Sequence, residues 1–279
     1  MASSSQTADS LAYERLDALR DLLALLGSVA VAYSGGVDST FLVAVAHEVL
    51  GDRMLAVTSA GRSAPQRDIE RTRAFCAERG IAQEVIAYDE LAIPGFRENP
   101  KDRCYHCKKA LFTQMSEAAR AHGITHLVDG SNKDDEGDYR PGLQALEELG
   151  IGSPLREVGM TKAQIRALSH DMGLPTWDMP SAACLASRFA YGEAITEIKL
   201  KRVELAEDFL HDLGFVQLRV RSHGEDGRLA RIEVDADQIT RLAQPELRER
   251  VVARLRELGF GYVSLDLVGF RSGAMNEVL

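Results

Sequence analysis

Long apolar runs are missing from this chain of 279 residues. Nowhere do about 18 apolar residues follow one another, so no membrane-spanning helix and no membrane partner are expected. The first ten residues are rich in Ser and lack the apolar core of a secretory leader, which points to a disordered tail over 1–10 and a cytoplasmic protein. Basic charge is also short: 33 Lys and Arg stand against 42 Asp and Glu, a formal net charge of -9. That balance suits a phosphate backbone poorly, and no nucleic-acid partner is expected. Cysteine is scarce. Cys76, Cys104, Cys107 and Cys184 in such a setting read as ligands, catalytic groups or buried thiols before disulfides. Internal repeats are absent. The hydrophobic share, 45%, is enough for a real core in one large domain or two smaller ones.

The run Ser34 Gly35 Gly36 Val37 Asp38 Ser39 Thr40 is the most informative stretch that is there. It follows apolar Val29–Tyr33 and precedes apolar Phe41–Val45, where a buried strand turns into a helix. Two glycines let the backbone approach a ligand closely, and the helix start offers unpaired amides to an anion. No Lys follows the glycines, so this is not a Walker A loop, and without a third glycine it is not the dinucleotide fingerprint. The run resembles the PP-loop of the ATP pyrophosphatases, which bind ATP, adenylate a substrate and release pyrophosphate. The resemblance implies that Ser34, Gly35, Gly36, Asp38, Ser39 and Thr40 bind ATP, with Asp38 also in the chemistry.

Around this loop, strand and helix signals alternate. Leu11–Leu26 reads as an amphipathic helix, Met54–Ser59 as a strand, 65–79 as a helix, 83–87 as a strand, 108–122 as a helix and 125–129 as a strand. The pattern predicts an α/β fold, a parallel sheet flanked by helices of the PP-loop, adenine nucleotide alpha hydrolase-like kind, over 11–180. Ligands of such sheets bind outside the carboxyl ends of the strands, where Ser59, Gly130 and the polar segment Asp129–Gly142 with Arg140 would gather to meet ATP, Mg²⁺ or a substrate carboxylate. Between 175 and 192 the periodicity breaks in a linker that also carries chemistry. Helix 196–213, paired strands 215–221 and 228–234, a further helix and strand 262–267 then predict a smaller C-terminal α+β domain, 181–279, for substrate binding and oligomerisation.

Cys104 and Cys107 form a C-x-x-C pair at a loop and helix start, a spacing used by redox, zinc and iron–sulfur sites alike. Zinc wants four protein ligands, and only Cys184 with His106 could complete the set. Three thiolates instead suit a [4Fe-4S] cluster with one iron left open. Cys76, spaced from apolar neighbours inside a helix, reads as core packing. Arg219 and Arg221 alternate along one strand, which puts both guanidinium groups on one face, fit for a phosphate or carboxylate, and Arg188 could join them. His106, His126 and His223 show no metal spacing.

Taken together, the chain resembles the LarE family, ATP-dependent pyridinium-3,5-biscarboxylic acid mononucleotide sulfurtransferases of nickel-pincer cofactor synthesis. The likeness rests on Ser34–Thr40, Asp129 Gly130, Asp138–Gly142, Cys184 with Ser187 Arg188 Phe189, Tyr191 Gly192, Arg219–Arg221 and the C-terminal Leu265–Gly273. It implies adenylation of a substrate carboxylate followed by displacement of AMP by sulfur. It also implies that Glu207, Arg219, Arg221 and Glu233 meet substrate phosphate or metal. Some members of that family sacrifice the sulfur of the cysteine matching Cys184. Others hold a [4Fe-4S] cluster on three cysteines and transfer a bound sulfide, and Cys104 with Cys107 puts this chain among them, Cys184 being a ligand. The resemblance further implies a sulfide donor, other enzymes of the same synthesis as partners, and a homo-oligomer of dimeric units such as a hexamer.

Three other readings compete. A tRNA thiolase also joins a PP-loop to a cluster, but a second C-x-x-C and a basic tail are lacking here. An amide-forming ATP ligase would leave the cysteines without purpose. An ATP-binding regulatory module would use the loop without turnover.

Overall fold

The computed structural model describes residues 8–135, 141–181, 183–271 and 273. By contact, the described residues of Met1–Tyr88 and Cys104–Ala182 make one unit, and those of Asp89–Arg103 and Ala183–Leu279 a second. The segment Asp89–Arg103 therefore leaves the first unit and returns to it. Of the tail expected over 1–10, residues 1–7 lie outside the described residues. Asp9 is instead a helix cap, its carboxylate accepting from Ala12 N at 2.8 Å.

The first unit is built on a four-stranded parallel sheet in the order β3-β2-β1-β4, with β1 Val29–Ala32, β2 Met54–Gly61, β3 Gln83–Tyr88 and β4 Leu127–Val128. Around it lie α1 Ser10–Leu26, α2 Val37–Leu50, α3 Gln66–Arg79, α4 Arg103–Ala121, α5 Pro141–Glu148, the short α6 Pro154–Glu157 and α7 Lys162–Asp171. The expected α/β sheet is the one observed. Apolar residues on α1 at Leu16, Leu19 and Leu23 recur at helical spacing and pack with Phe41, Val45, Val31 and Leu168 into one core. Cys76 belongs to that core, as its spacing predicts. A second cluster, Ala30, Val57, Ile86, Phe112 and Met115, joins the sheet to α4.

Several boundaries differ from the sequence reading, among them a strand from Met54 that runs on to Gly61 and a last strand that ends at Leu265. The helix expected from 108 begins at Arg103, so both residues of the C-x-x-C pair are helical. The strand expected over 125–129 is only Leu127–Val128, though Ala30 N still bonds His126 O at 2.8 Å. The strand expected from 215 begins at Leu218, because Phe215 follows the helix-terminating Gly214 (φ 85°) and folds back to Leu210 O.

In the second unit α8 Glu197–Asp212 packs on β5 Leu218–His223, which pairs antiparallel with β6 Leu229–Val234. After α9 Ile239–Leu242 and α10 Pro245–Glu257, β7 Tyr262–Leu265 joins β6 in parallel. Among the described residues no helix is long and apolar enough to cross a membrane.

Candidate functional site

The loop between β1 and α2 is shaped by its glycines and by what braces it. Gly35 sits at φ 77°, and a Cβ there would come within 2.9 Å of Thr72 Cγ2 on α3, so only glycine fits. Gly36 is the N-cap of α2 with no capping side chain, which leaves the first-turn amides of α2 without a side-chain acceptor. Ser34 Oγ and Ser39 Oγ lie 3.1 Å apart, and Ser39 Oγ also reaches Gly36 O at 3.3 Å. Thr40 points inward: it is buried, and its hydroxyl donates to Tyr33 Oη at 3.5 Å. The strand end below is braced by Thr58, whose hydroxyl donates to Tyr33 O at 2.9 Å. Burial pushes the Tyr33 hydroxyl up to about 12, so it stays protonated there.

Gly130, after β4, sits against the same helix start. A Cβ on it would lie 3.1 Å from Ser39 N and 3.3 Å from Ser39 Cα, both backbone atoms. Beside it Asp129 is locked in place, accepting from Ser131 Oγ at 2.5 Å and Ser153 Oγ at 2.7 Å. Ser59 lies half-buried on β2, opposite Ile86 of β3. Arg140, with Asp138 and Tyr139, lies outside the described residues.

Asp38 brings in a residue that sequence reasoning misses. Its Oδ2 accepts from Lys162 Nζ at 2.5 Å, while its Oδ1 is buried without a hydrogen-bond partner. Burial raises the Asp38 carboxyl above its ordinary value, and the Lys162 ammonium pulls it back. Lys162 is fixed by a capping box in which Thr161 and Gln164 cap α7 reciprocally. That Thr-x-x-Gln pattern is the one signal of it along the chain.

The second unit concentrates buried arginines. Arg188 forks onto Glu207 (2.9 and 2.8 Å), and Arg221 onto Glu233 (3.0 and 2.8 Å). Burial alone would push the Glu207 carboxyl up, but Arg188 and the Val220 amide outweigh it and hold it below its ordinary value. Arg219 lies 5.0 Å over the Phe270 ring. Burial first, and then its neighbour Arg188, lower it to about 10. Arg188, Arg219 and Arg221 are all buried with Glu207 and Glu233, so this group of five holds one more cation than carboxylate. Arg219 and Arg221 do share a strand, as expected, but Arg221 is already committed to Glu233. Arg231 extends the network, reaching Glu233 at 3.2 Å, Asp266 at 2.5 Å and His223 Nε2 at 3.2 Å. Burial, reinforced by Arg231, lowers the His223 ring, which is neutral near pH 7.

Cys104 and Cys107 occupy the first turns of α4, three residues apart and both partly exposed. Tyr88 Oη donates to Cys107 O at 2.8 Å. Cys184, exposed, lies in the second unit as the N-cap of the 3-10 turn Leu185–Arg188. Among the described residues no three His, Cys, Asp or Glu side chains assemble as a metal-holding group.

Against known proteins, the chain is 43% identical over 95% of its length to an uncharacterised protein of Synechocystis, covering 98% of that protein. It is 36% identical over 94% of its length to the pyridinium-3,5-bisthiocarboxylic acid mononucleotide synthase of Lactiplantibacillus plantarum, covering 92% of it. The chain belongs to the LarE family. No protein-family model matches. More distantly, the chain shares 27% identity with a tRNA-specific 2-thiouridylase of Rhizobium rhizogenes, over 66% of this chain and 56% of that one. A likeness of the LarE chain to a PP-loop enzyme of different output agrees with the parallel sheet and the Ser34–Thr40 loop. The LarE likeness also spans the second unit, including the buried arginine cluster.

Proposed function

We propose that this LarE-family protein uses ATP to adenylate a carboxylate of pyridinium-3,5-biscarboxylic acid mononucleotide and converts it to a thiocarboxylate for the nickel-pincer cofactor. The observation that carries the reading is the uncapped start of α2, with Asp38 and Lys162 beside it and Gly130 packed against it. A helix N-terminus next to a fixed ammonium is complementary to the phosphates of ATP. The surplus of buried cations around Arg219 supports a phosphorylated substrate, held by Arg188, Arg219 and Arg221 with Glu207 and Glu233 orienting them.

In this mechanism a substrate carboxylate oxygen attacks the α-phosphorus of ATP, and the bond to the β-phosphate breaks. Pyrophosphate leaves with that electron pair, toward the amides of Gly36–Ser39 and Lys162. Asp38, with Oδ1 unclaimed, is the carboxylate available to Mg²⁺. A sulfur nucleophile then attacks the acyl carbon, and the bond to AMP breaks, giving the thiocarboxylate. Thiol donors fit iron: Cys104 and Cys107 stand about a helical turn apart, and with Cys184 as third ligand they would hold a [4Fe-4S] cluster, which would supply sulfide as the nucleophile. Sacrifice of the Cys184 sulfur itself is the competing source.

Pyrophosphate release that requires the pyridinium substrate, with tRNA inactive, supports the reading; release with tRNA instead overturns it. Iron and sulfide analysis after anaerobic purification decides the sulfur source. An iron-free, colourless protein that loses the mass of H₂S from Cys184 per turnover excludes the cluster.

A further inference from the structure

The loop that carries Cys184 buries Leu185, Ala186 and Phe189 yet leaves Cys184 itself exposed, and its backbone carbonyls face a row of donors. Arg188 Nη1 donates to Ala183 O at 2.8 Å and Cys184 O at 3.1 Å, and Arg221 Nη1 to Ser187 O at 2.9 Å. Two residues of the Asp89–Arg103 excursion supply the rest. Arg103 Nη1 donates to Ala186 O at 2.9 Å and also to Asn99 Oδ1. Asn99 Nδ2 donates to Phe189 O at 3.3 Å and Ala190 O at 2.7 Å, and Asn99 O accepts from Gly192 N at 2.9 Å.

Asn99 is wholly buried and is the one non-glycine residue at positive φ (54°) among the described residues. A left-handed residue there turns the chain so that its carbonyl and its amide both face the loop. Buried side-chain amides and guanidinium groups spent on a neighbour's backbone fix that backbone against rotation. Chemistry at an exposed sulfur needs such fixing, since a misplacement of about 1 Å can slow a step roughly a hundredfold.

We infer that Asn99 and Arg103 are positioning residues for the step at Cys184: they hold the backbone of 183–192 and so set where Sγ stands. The inference rests on the reading that Cys184 takes part in sulfur transfer. Asn99→Gly tests it cleanly, because glycine keeps the positive φ without strain while removing the amide's bonds. Arg103→Lys keeps the charge but is shorter, and takes the donor away from the point where Nη1 serves both Ala186 O and Asn99 Oδ1.

With both variants folded by circular dichroism, thiocarboxylate formation in a single turnover should fall by about 10- to 100-fold. The KM for ATP and the rate of pyrophosphate release should stay within about twofold, the split expected when only the second step is touched. Amide exchange over 183–192 should quicken by about tenfold or more. Full thiocarboxylate rates in both variants overturn the inference, and so does an equal loss in both steps, which marks a general structural role. If the wild-type protein forms no thiocarboxylate at all, the sulfur-transfer reading fails by itself. The positioning claim is then judged by the rate of Cys184 alkylation with iodoacetamide: no change in Asn99→Gly sinks it, and a change of at least about threefold upholds it.

Discussion

Lys162 Nζ lies 2.5 Å from Asp38 Oδ2, although 124 residues separate the two in sequence. Each stands at the start of a helix, Asp38 in the first turn of α2 and Lys162 in that of α7. A cation near two positive helix ends is poorly placed unless an anion joins it, and one carboxylate oxygen meets only part of that demand.

Replacing the ammonium by an apolar chain of similar length should therefore weaken the encounter with ATP more than the fold. Lys162→Met is expected to lower kcat/KM for ATP by about 10- to 100-fold, the worth of a charged hydrogen bond, with Lys162→Arg recovering part. Pyrophosphate release against ATP concentration checks it.

Asp38 gives the opposite balance of stability and activity. Its folded-state pKa is raised, chiefly by burial, so the fold favours the protonated form. The stabilisation from that form is present below the unfolded value and is lost as pH rises through the folded value. Asp38→Asn, which mimics the protonated acid, should raise Tm by about 1–3 °C at pH 8, with the gain shrinking as pH falls toward the carboxylate range. Activity should drop by about 100-fold or more in the same variant. Calorimetry at several pH values beside an activity assay separates the two effects.

Gly130→Ala pushes a methyl group against the backbone of Ser39, which has no flexible end to yield. A destabilisation of about 1–3 kcal/mol is expected. ATP affinity should weaken at least about tenfold, because the amides proposed to face the phosphates must shift. Titration calorimetry with a non-hydrolysable ATP analogue measures it.

Glu207 carries acid sensitivity. Burial opposes its ionised form, but Arg188 wins and keeps the carboxyl below its ordinary range. Its contribution to stability is present above the unfolded value and disappears as pH falls through the folded one. Glu207→Gln leaves Arg188 buried with its main partner gone, a loss of about 3–5 kcal/mol near pH 7. The gap to wild type should narrow as pH drops below about 4, where the unfolded carboxyl takes up its proton. Urea unfolding at pH 7 and pH 4 reads the difference.

Arg219 tests the proposal that its cluster binds an anion. Burial holds it down to about 10, so the folded state bears this cation unwillingly. Inorganic phosphate should raise the wild-type Tm in a concentration-dependent way, approaching about 2.7 kcal/mol of stabilisation at a hundredfold excess over Kd. Arg219→Met should abolish that response; an undiminished phosphate shift in the variant would place the anion elsewhere.

The sequence displays whatever is local. Alternating apolar strands and the Ser34–Thr40 run lie contiguous along the chain, so the sheet and the glycine turn that leads into α2 are legible from residue order alone. The Cys76 packing follows from helical spacing for the same reason. Lys162 is invisible there because its meaning depends on a partner 124 residues away. The start of α4 at Arg103 escapes because the polar stretch before Lys108 looks like a loop, while in the fold Arg103 is anchored by Ala186 O and Asn99. Arg219 and Arg221 can be placed on one face from their spacing. Their burial, and the claim of Glu233 on Arg221, depend on β6 lying alongside β5.

Because Asp89–Arg103 belongs with the second unit while the residues on both sides belong with the first, the backbone passes between the units three times. A single cut after residue 182 would strand the excursion, a piece of the second unit, on the fragment that carries the first. Neither unit can be excised as one continuous fragment, and a fragment ending near 182 would carry Asn99 and Arg103 without the loop they grip.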